Sequence, residues 1–331
     1  MYVGLRDLKW ARGRFALIGS VIVLITVLVG LLTGLTKGLG DQSTSAITGL
    51  HAQSLVFGGA SFESSRVPTD LVRRGAPLGI ATVRGQGPAG GGAVTLMGVR
   101  PGSAVAPDAA GVRPGTVVLS TGARDLVGDS ISLNGHRLTV VATRGDASYS
   151  HVPVVWASLA DWQRLTGSPD RATVIALSGK APHLPATYDV RTIPQSLSAI
   201  GSYSSEHGSL LLIRGFLLAI SALVVGAFFT VWTIQRSGDI AVLKALGSST
   251  WTLLRDALGQ AAVVLAIGSL VGAGIAVGAG LFASSVVPFS LDPATLALPV
   301  GLLAGLGLAG AALAVRRVTS VDPLTALGSA R

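Results

Sequence analysis

The residue types that most often carry chemistry are sparse in this chain, and none falls at a catalytic spacing. Its five histidines, His51, His136, His151, His183 and His207, include no H-x-x-x-H pair, the spacing that puts two imidazoles on one helix face for a metal ion. There is no cysteine, which excludes disulfides, thiolate metal sites and cysteine nucleophiles. Serines are plentiful, yet no G-x-S-x-G elbow is present, and no G-x-x-x-x-G-K-[ST] loop is available to cradle ATP phosphates. The chain is expected to have no catalytic residue, no metal site and no permanently bound cofactor; any ATP it uses must be held by another subunit.

The stretch with functional spacing is IQRSGDIAVLKALGSSTWT, residues 234–252. On a helix, Ile240, Leu243 and Leu246 share one face, Arg236, Asp239 and Lys244 are polar, Ala245 lies between, and Gly247 ends the helix as a C′ residue. Taken alone this is a connector helix with a solvated face. A second segment, RRVTSVDPLTALG from Arg316, centres on Asp322-Pro323.

The elements that position these segments follow from hydropathy. Of 331 residues, 49% are hydrophobic and 12% charged, against about a quarter charged in ordinary globular chains. Uncharged runs cover residues 15–36, 215–235 and 257–291, each long enough to cross a hydrocarbon core of about 30 Å. The last is too long for one span, and Pro288 and Pro293 mark a break. The first run exceeds a signal-peptide core and lacks an A-x-A site, so it reads as a retained span. The expected organisation is an interfacial helix at 1–14, transmembrane segments at 15–37, 210–235, 257–286 and 292–315, an extracytoplasmic domain with a stalk at 38–209, a cytoplasmic loop at 236–256 and a tail at 316–331. The fold class is thus a membrane α-helical protein: four transmembrane helices with an α+β domain inserted between the first two.

The formal net charge of +9 is carried by the flanks of these spans, which fits membrane topology better than nucleic-acid binding. Arg6, Lys9, Arg12 and Arg14, then Arg236, Lys244 and Arg255, then Arg316, Arg317 and Arg331 occupy three segments that share one side, placing both termini in the cytoplasm of a cell-membrane protein. Several glycines in spans three and four (Gly268, Gly272, Gly274, Gly278, Gly280, Gly301, Gly305, Gly307) read as positions of close helix contact. Between residues 38 and 209 the texture is β-rich. Strands are expected at 93–99, 116–120, 131–133, 137–142 and 152–156, with Asn134-Gly135 as a type I′ hairpin turn. Ser158 is expected to cap a helix at 158–165, residues 194–203 read as a helix leading into span two, and residues 85–92 (GQGPAGGG) read as a flexible loop. Residues 41–53 read as a stalk with Ile47 and Leu50 on one face.

The pattern Arg236-x-x-Asp239-Ile240-x-x-Leu243-Lys244-Ala245-Leu246-Gly247, the Asp322-Pro323 tail and the order of spans resemble FtsX/MacB-type ABC transporter permeases, with Asp239 where Glu is usual. The likeness covers both ends of the chain and is weak in the middle. It implies a coupling helix that docks on a separate cytoplasmic ABC ATPase, a second permease protomer in a homodimer or heterodimer, the homodimer being the expectation, and no enzymatic activity in this chain. The N-terminal segment is most similar to haem-exporter permeases of the Hrt type, with DevC-like permeases as relatives. That implies export of a hydrophobic substrate, haem, with His51, Gln53, Tyr203 and His207 as contacts where the stalks emerge. The alternatives are a mechanotransmission or lipoprotein- or peptide-releasing permease acting on an extracytoplasmic partner, and a membrane-anchored sensor without an ATPase.

Overall fold

The computed structural model describes residues 12–88, 90–127, 129–235, 238, 242, 246–247, 249–284, 287–290 and 293–319. Two compact units are present, one comprising Met1–Gly38 with Leu210–Arg331 and the other Leu39–Ser209.

Among the described residues, four helices are long and apolar enough to cross a membrane: α1 (Arg12–Thr48), α5 (Gly201–Gln235), α6 (Thr250–Ala283) and α7 (Pro293–Thr319). Helix α1 runs on past residue 37 into the segment read as a stalk, as far as Thr48, with the Thr44 and Thr48 hydroxyls donating to carbonyls one turn back. Helix α6 starts earlier than residue 257 because Ser249 caps it, its hydroxyl accepting from the Thr252 amide at 3.2 Å. The interfacial segment 1–11 and the tail beyond residue 319 lie outside the described residues.

Close helix contacts fall on three of the eight glycines read from sequence, while Gly280 meets Phe289 of the loop that follows. A Cβ at Gly268 would press on Ile22 at 2.8 Å and one at Gly272 on Thr26 at 2.6 Å, joining α6 to α1. One at Gly307 would meet Leu265 and Val225, and Gly310 packs on Gly226, joining α7 to α6 and α5. By contrast Gly274, Gly278, Gly301 and Gly305 have nothing within 4 Å. Between α6 and α7, the loop at 287–290 lies on α1: the Ser290 amide donates to the Gly34 carbonyl at 3.1 Å, and Gly38 leaves room for the Pro288 carbonyl.

The second unit is β-rich. Its main sheet runs β12 (Asp189–Thr192), β1 (Ser54–Phe57), β11 (Val174–Leu177), β3 (Ala76–Gly87), β4 (Gly90–Val99), β9 (Val152–Ser158), β5 (Thr116–Leu119), β7 (His136–Thr143) and β6 (Ser130–Leu133). Strand β6 also pairs with β3 at Gly85↔Leu133 and Gln86↔Ser132, so the six strands from β3 to β6 close into a barrel. The β4–β9 and β5–β7 pairs are parallel and the others in the ring antiparallel. Short strands β8 (Ser148–Tyr149), beside β9, and the pair β2 (Val67–Pro68) and β10 (Arg171–Ala172) complete the set.

Residues 85–92 are not the flexible loop expected from their glycines. Strands β3 and β4 stay paired as far as Gly87↔Gly90. The reason is local crowding: a Cβ at Gly85 would meet Ile131 at 2.8 Å, so glycine permits the approach that closes the barrel. The Asn134-Gly135 turn does form, with φ of 48° and 84°. Ser158 caps α3 (Leu159–Thr166) as expected, and the buried Asp161 beneath it accepts from Ser158 Oγ at 2.7 Å and the Gly115 amide at 2.8 Å. Residues 194–203 are not one helix: α4 (Ile193–Ser196) and a 3-10 turn end at an extended Ile200 before α5 begins.

Side-chain alternation along the ring strands makes two cores. Val94, Leu96, Val117, Leu119, Ile131, Leu133, Val155 and Ala157 point into the barrel, which Trp162 of α3 plugs against Gly79 and Gly98. Met97, Val99, Val118, Val154 and Trp156 point the other way, into a core shared with the ends of α1 and α5.

Candidate functional site

Within the β-rich unit, the last turns of α1 and the first turns of α5 are rooted in one hydrophobic core. From α1, Ala46 and Ile47 are buried, followed by Leu50; from the approach to α5 come Ala199 and Ile200, with Tyr203 packed against them. Phe57, Phe62 and Tyr149 form the floor, their rings edge-on at 4.9 and 5.7 Å. The Tyr149 hydroxyl donates to Glu63 Oε1 at 3.3 Å. Burial pushes the Tyr149 phenol well above its ordinary value, and the negative charge and hydrogen bond of Glu63 add to the shift.

Between the two helix ends sits the β8–β9 turn, whose central residues Ser150 and His151 have φ of 53° and 63°. Two successive left-handed residues make a type I′ turn, which normally selects Asn-Gly; with Ser-His each residue costs about 1–2 kcal/mol. Contacts to both helices hold this backbone. The Ser150 amide donates to the Ser43 carbonyl at 3.1 Å and the His151 amide to the Gln42 carbonyl at 3.2 Å. Ser45 Oγ accepts from the Ser148 amide at 2.8 Å. On the α5 side, Ser150 Oγ donates to Ser202 Oγ at 2.9 Å.

The His151 ring completes the clasp. Its Nε2 lies 2.9 Å from Ser43 Oγ and 2.9 Å from both carboxylate oxygens of Glu206. A single ring nitrogen therefore faces three oxygens from two helices. It can make one full hydrogen bond, so at any moment at least two of these contacts lack one. Ser43 is fully buried, whereas the His151 and Glu206 side chains are 28% and 41% exposed.

The residues expected to touch substrate fall into two groups. Tyr203 and His207, one turn apart on α5, stack with ring centroids 4.9 Å apart. His51 and Gln53 lie in the link from α1 to β1, their backbones tied by His51 N to Val105 O at 2.8 Å and Gln53 N to Leu177 O at 2.7 Å. Among the described contacts, none joins the side chains of His51 or Gln53 to Tyr203 or His207. Of the coupling segment, Leu246 and Gly247 are described: Leu246 is exposed and Gly247 is left-handed at φ 90°, the conformation of a C′ glycine. Arg236, Asp239, Ile240, Leu243, Lys244, Ala245, Asp322 and Pro323 lie outside the described residues.

Sequence reasoning treated His151 as one scattered histidine and passed over Ser43 and Glu206, which are 108 and 55 residues away from it. The one local hint is the Ser-His pair in a two-residue turn where Asn-Gly is the usual choice. Among the described residues, no group of three His, Asp or Glu side chains is placed to hold a metal ion.

Residues 211–323 match the FtsX-like permease C-terminal family model. A Staphylococcus haemolyticus permease whose name, HrtB, assigns it provisionally to a hemin transport system is 27% identical over 214 residues, 63% of this chain and 61% of that one. The uncharacterized ABC transporter permease Rv0072 of Mycobacterium tuberculosis is 29% identical over 221 residues, 63% and 60% of the two chains. The macrolide export ATP-binding/permease protein MacB of Marinobacter nauticus is 31% identical over 143 residues, 42% of this chain and 22% of that one. This chain spans about three fifths of the length of the first two relatives. Among solved structures, the extracellular domain of the noncanonic ABC-type transporter YknZ aligns at 10% identity over 34% of this chain and 68% of that one, with a TM-score of 0.28. The match to a permease family model together with four helices long and apolar enough to span indicates a multi-pass membrane protein.

Proposed function

We infer, from the FtsX-like permease domain that this chain carries over residues 211–323, that it is the membrane subunit of an ABC-type exporter. ATP hydrolysis belongs to a separate cytoplasmic subunit, and two permease protomers assemble around each transport path. The basic flanks put both termini and the 236–256 loop in the cytoplasm and the β-rich unit outside. The observation that carries the reading is the permease match over the segment containing the amphipathic loop, with Gly247 in the C′ conformation that ends its helix. A short helix between two membrane helices can seat its apolar face on the nucleotide-binding subunit and pass that subunit's movement to both. Leu243→Asp and Gly247→Pro should abolish transport while membrane insertion persists; normal transport by either variant refutes the docking role. For Gly247 the reason is steric, since proline is fixed near φ −65° where this position stands at 90°.

The cargo is hydrophobic, and haem is the substrate the likeness to the hemin-system permease supports. Haem should stimulate ATP hydrolysis by the purified complex and change its Soret absorbance on binding the permease, with His51, Gln53, Tyr203 and His207 as the side chains to test. Absence of both effects removes haem. A second reading, mechanotransmission to an extracytoplasmic partner, is favoured by one feature: α1 and α5 are continuous helices whose ends are built into the core of the β-rich unit. It predicts ATP turnover governed by that partner and indifferent to haem.

A further inference from the structure

We propose that the β8–β9 turn is a latch between the ends of α1 and α5, closed in this structure and opened during each cycle of the transporter. The proposal rests on the permease reading for the source of the force that opens it. Three observations carry it. First, Ser150 and His151 are both left-handed although neither is glycine or asparagine, so the turn keeps its shape through its neighbours. Second, those neighbours are split between two helices: Ser43, Gln42 and Ser45 on α1, and Ser202 and Glu206 on α5. A turn strained in itself and tied, beyond its own β8–β9 pairing, to two separate elements can exchange between a made and a broken contact. Third, the clasp is frustrated, because one imidazole nitrogen serves three oxygens. On opening, each oxygen can take water instead, and the partial exposure of His151 and Glu206 lets water reach them.

The apolar roots differ. Ile47 and Ile200 are fully buried and keep both helix ends in the domain core whether or not the clasp is made. Opening therefore lets the ends of α1 and α5 turn against each other without detaching either. His151 acts here as a positioning residue, since its ring is bonded to both helices.

The absence of native cysteine makes the test direct. Ser150 Oγ and Ser202 Oγ are 2.9 Å apart, so Ser150→Cys with Ser202→Cys places two sulfurs within reach of a disulfide. In nanodiscs, with the ATPase that co-purifies, the oxidised pair should lose at least tenfold in turnover and recover on reduction. Ser150→Cys alone should react with a maleimide several-fold faster during ATP turnover than at rest. Adding His151→Asn, which tolerates the left-handed turn but cannot span both helices, should make labelling fast at rest. Unchanged turnover in the oxidised pair, or equal labelling at rest and in turnover, overturns the latch. If no ATP-hydrolysing partner co-purifies, the exporter reading fails by itself. The latch is then judged on the isolated full-length permease, where labelling of Ser150→Cys at one rate with and without His151→Asn overturns it.

Discussion

The plug of the barrel offers a quantitative test of the packing, because two neighbouring glycines meet different parts of one indole. A Cβ built on Gly79 would press on the face of the Trp162 indole at Cδ2, with Cε2 and Cε3 each at 2.6 Å, and these are its three nearest atoms. A Cβ on its register partner Gly98 would press on Trp162 Cβ itself. Trp162→Ala empties the plug and should cost about 3–5 kcal/mol. Gly79→Ala in the native background overpacks the slot, at about 1–3 kcal/mol. In the Trp162→Ala background the three atoms that pressed hardest on the Gly79 methyl are gone. The same substitution should then be neutral, or stabilising by about 0.4–1 kcal/mol through the less flexible unfolded chain. The coupling energy of this cycle is thus about 1–3 kcal/mol or more, far above the few tenths expected for independent sites. Gly98→Ala is the internal control: the Cβ it opposes survives in Trp162→Ala, so its cost should persist. Urea-dependent pulse proteolysis of the full chain in detergent, following cleavage within residues 39–209, reads each variant. Equal costs for Gly79→Ala in both backgrounds would refute the slot geometry.

Three further outcomes follow from the same contacts. Tyr149 holds its proton in the folded state at a pH where the unfolded chain releases it, so its stabilising contribution is complete below about pH 10 and declines above it; Tyr149→Phe should flatten that alkaline slope of up to about 1.4 kcal/mol per pH unit in pulse proteolysis. Gly38→Ala drives a methyl into the Pro288 carbonyl, so it should displace the 287–290 loop, break the Ser290–Gly34 bond and speed thiol labelling of Ser290→Cys, leaving insertion intact. Ile47→Ala should lower the stability of the β-rich unit by about 2–5 kcal/mol, whereas His151→Asn should lower it by about 1 kcal/mol or less; comparable losses would contradict the division between apolar root and polar clasp.

The membrane helices were legible because lipid imposes one rule along a contiguous stretch, and the runs after Phe15 and Gly215 obey it without a charge. Asn134-Gly135 and Ser158 were legible for a similar reason: turn and cap chemistry acts within four residues. The glycine-rich segment 85–92 misled because glycine permits two opposite things, a free loop and a close backbone approach. The choice between them was made by Ile131 on a strand far along the chain. The clasp was invisible for the same cause. Nothing at helical or strand spacing links Ser43, His151 and Glu206, and only the pairing of β8 with β9 beside two helix ends brings them together.

Two kinds of attachment at one place do different mechanical work. Burying an isoleucine stabilises by about 1.5–3 kcal/mol and is indifferent to small rotations of its neighbours, because apolar contact has no direction. A hydrogen bond between half-exposed groups contributes about 0.5–1.5 kcal/mol and vanishes within a few tenths of an ångström or a few tens of degrees. A helix end held by Ile47 or Ile200 alone could turn in its socket and transmit position but little rotation. Adding directional bonds from Ser43 and Glu206 to one imidazole would, in the proposed latch, make the pair of helices resist turning until those bonds break. On the proposed function, that is the behaviour needed of helices that pass movement from an ATPase partner to the β-rich unit.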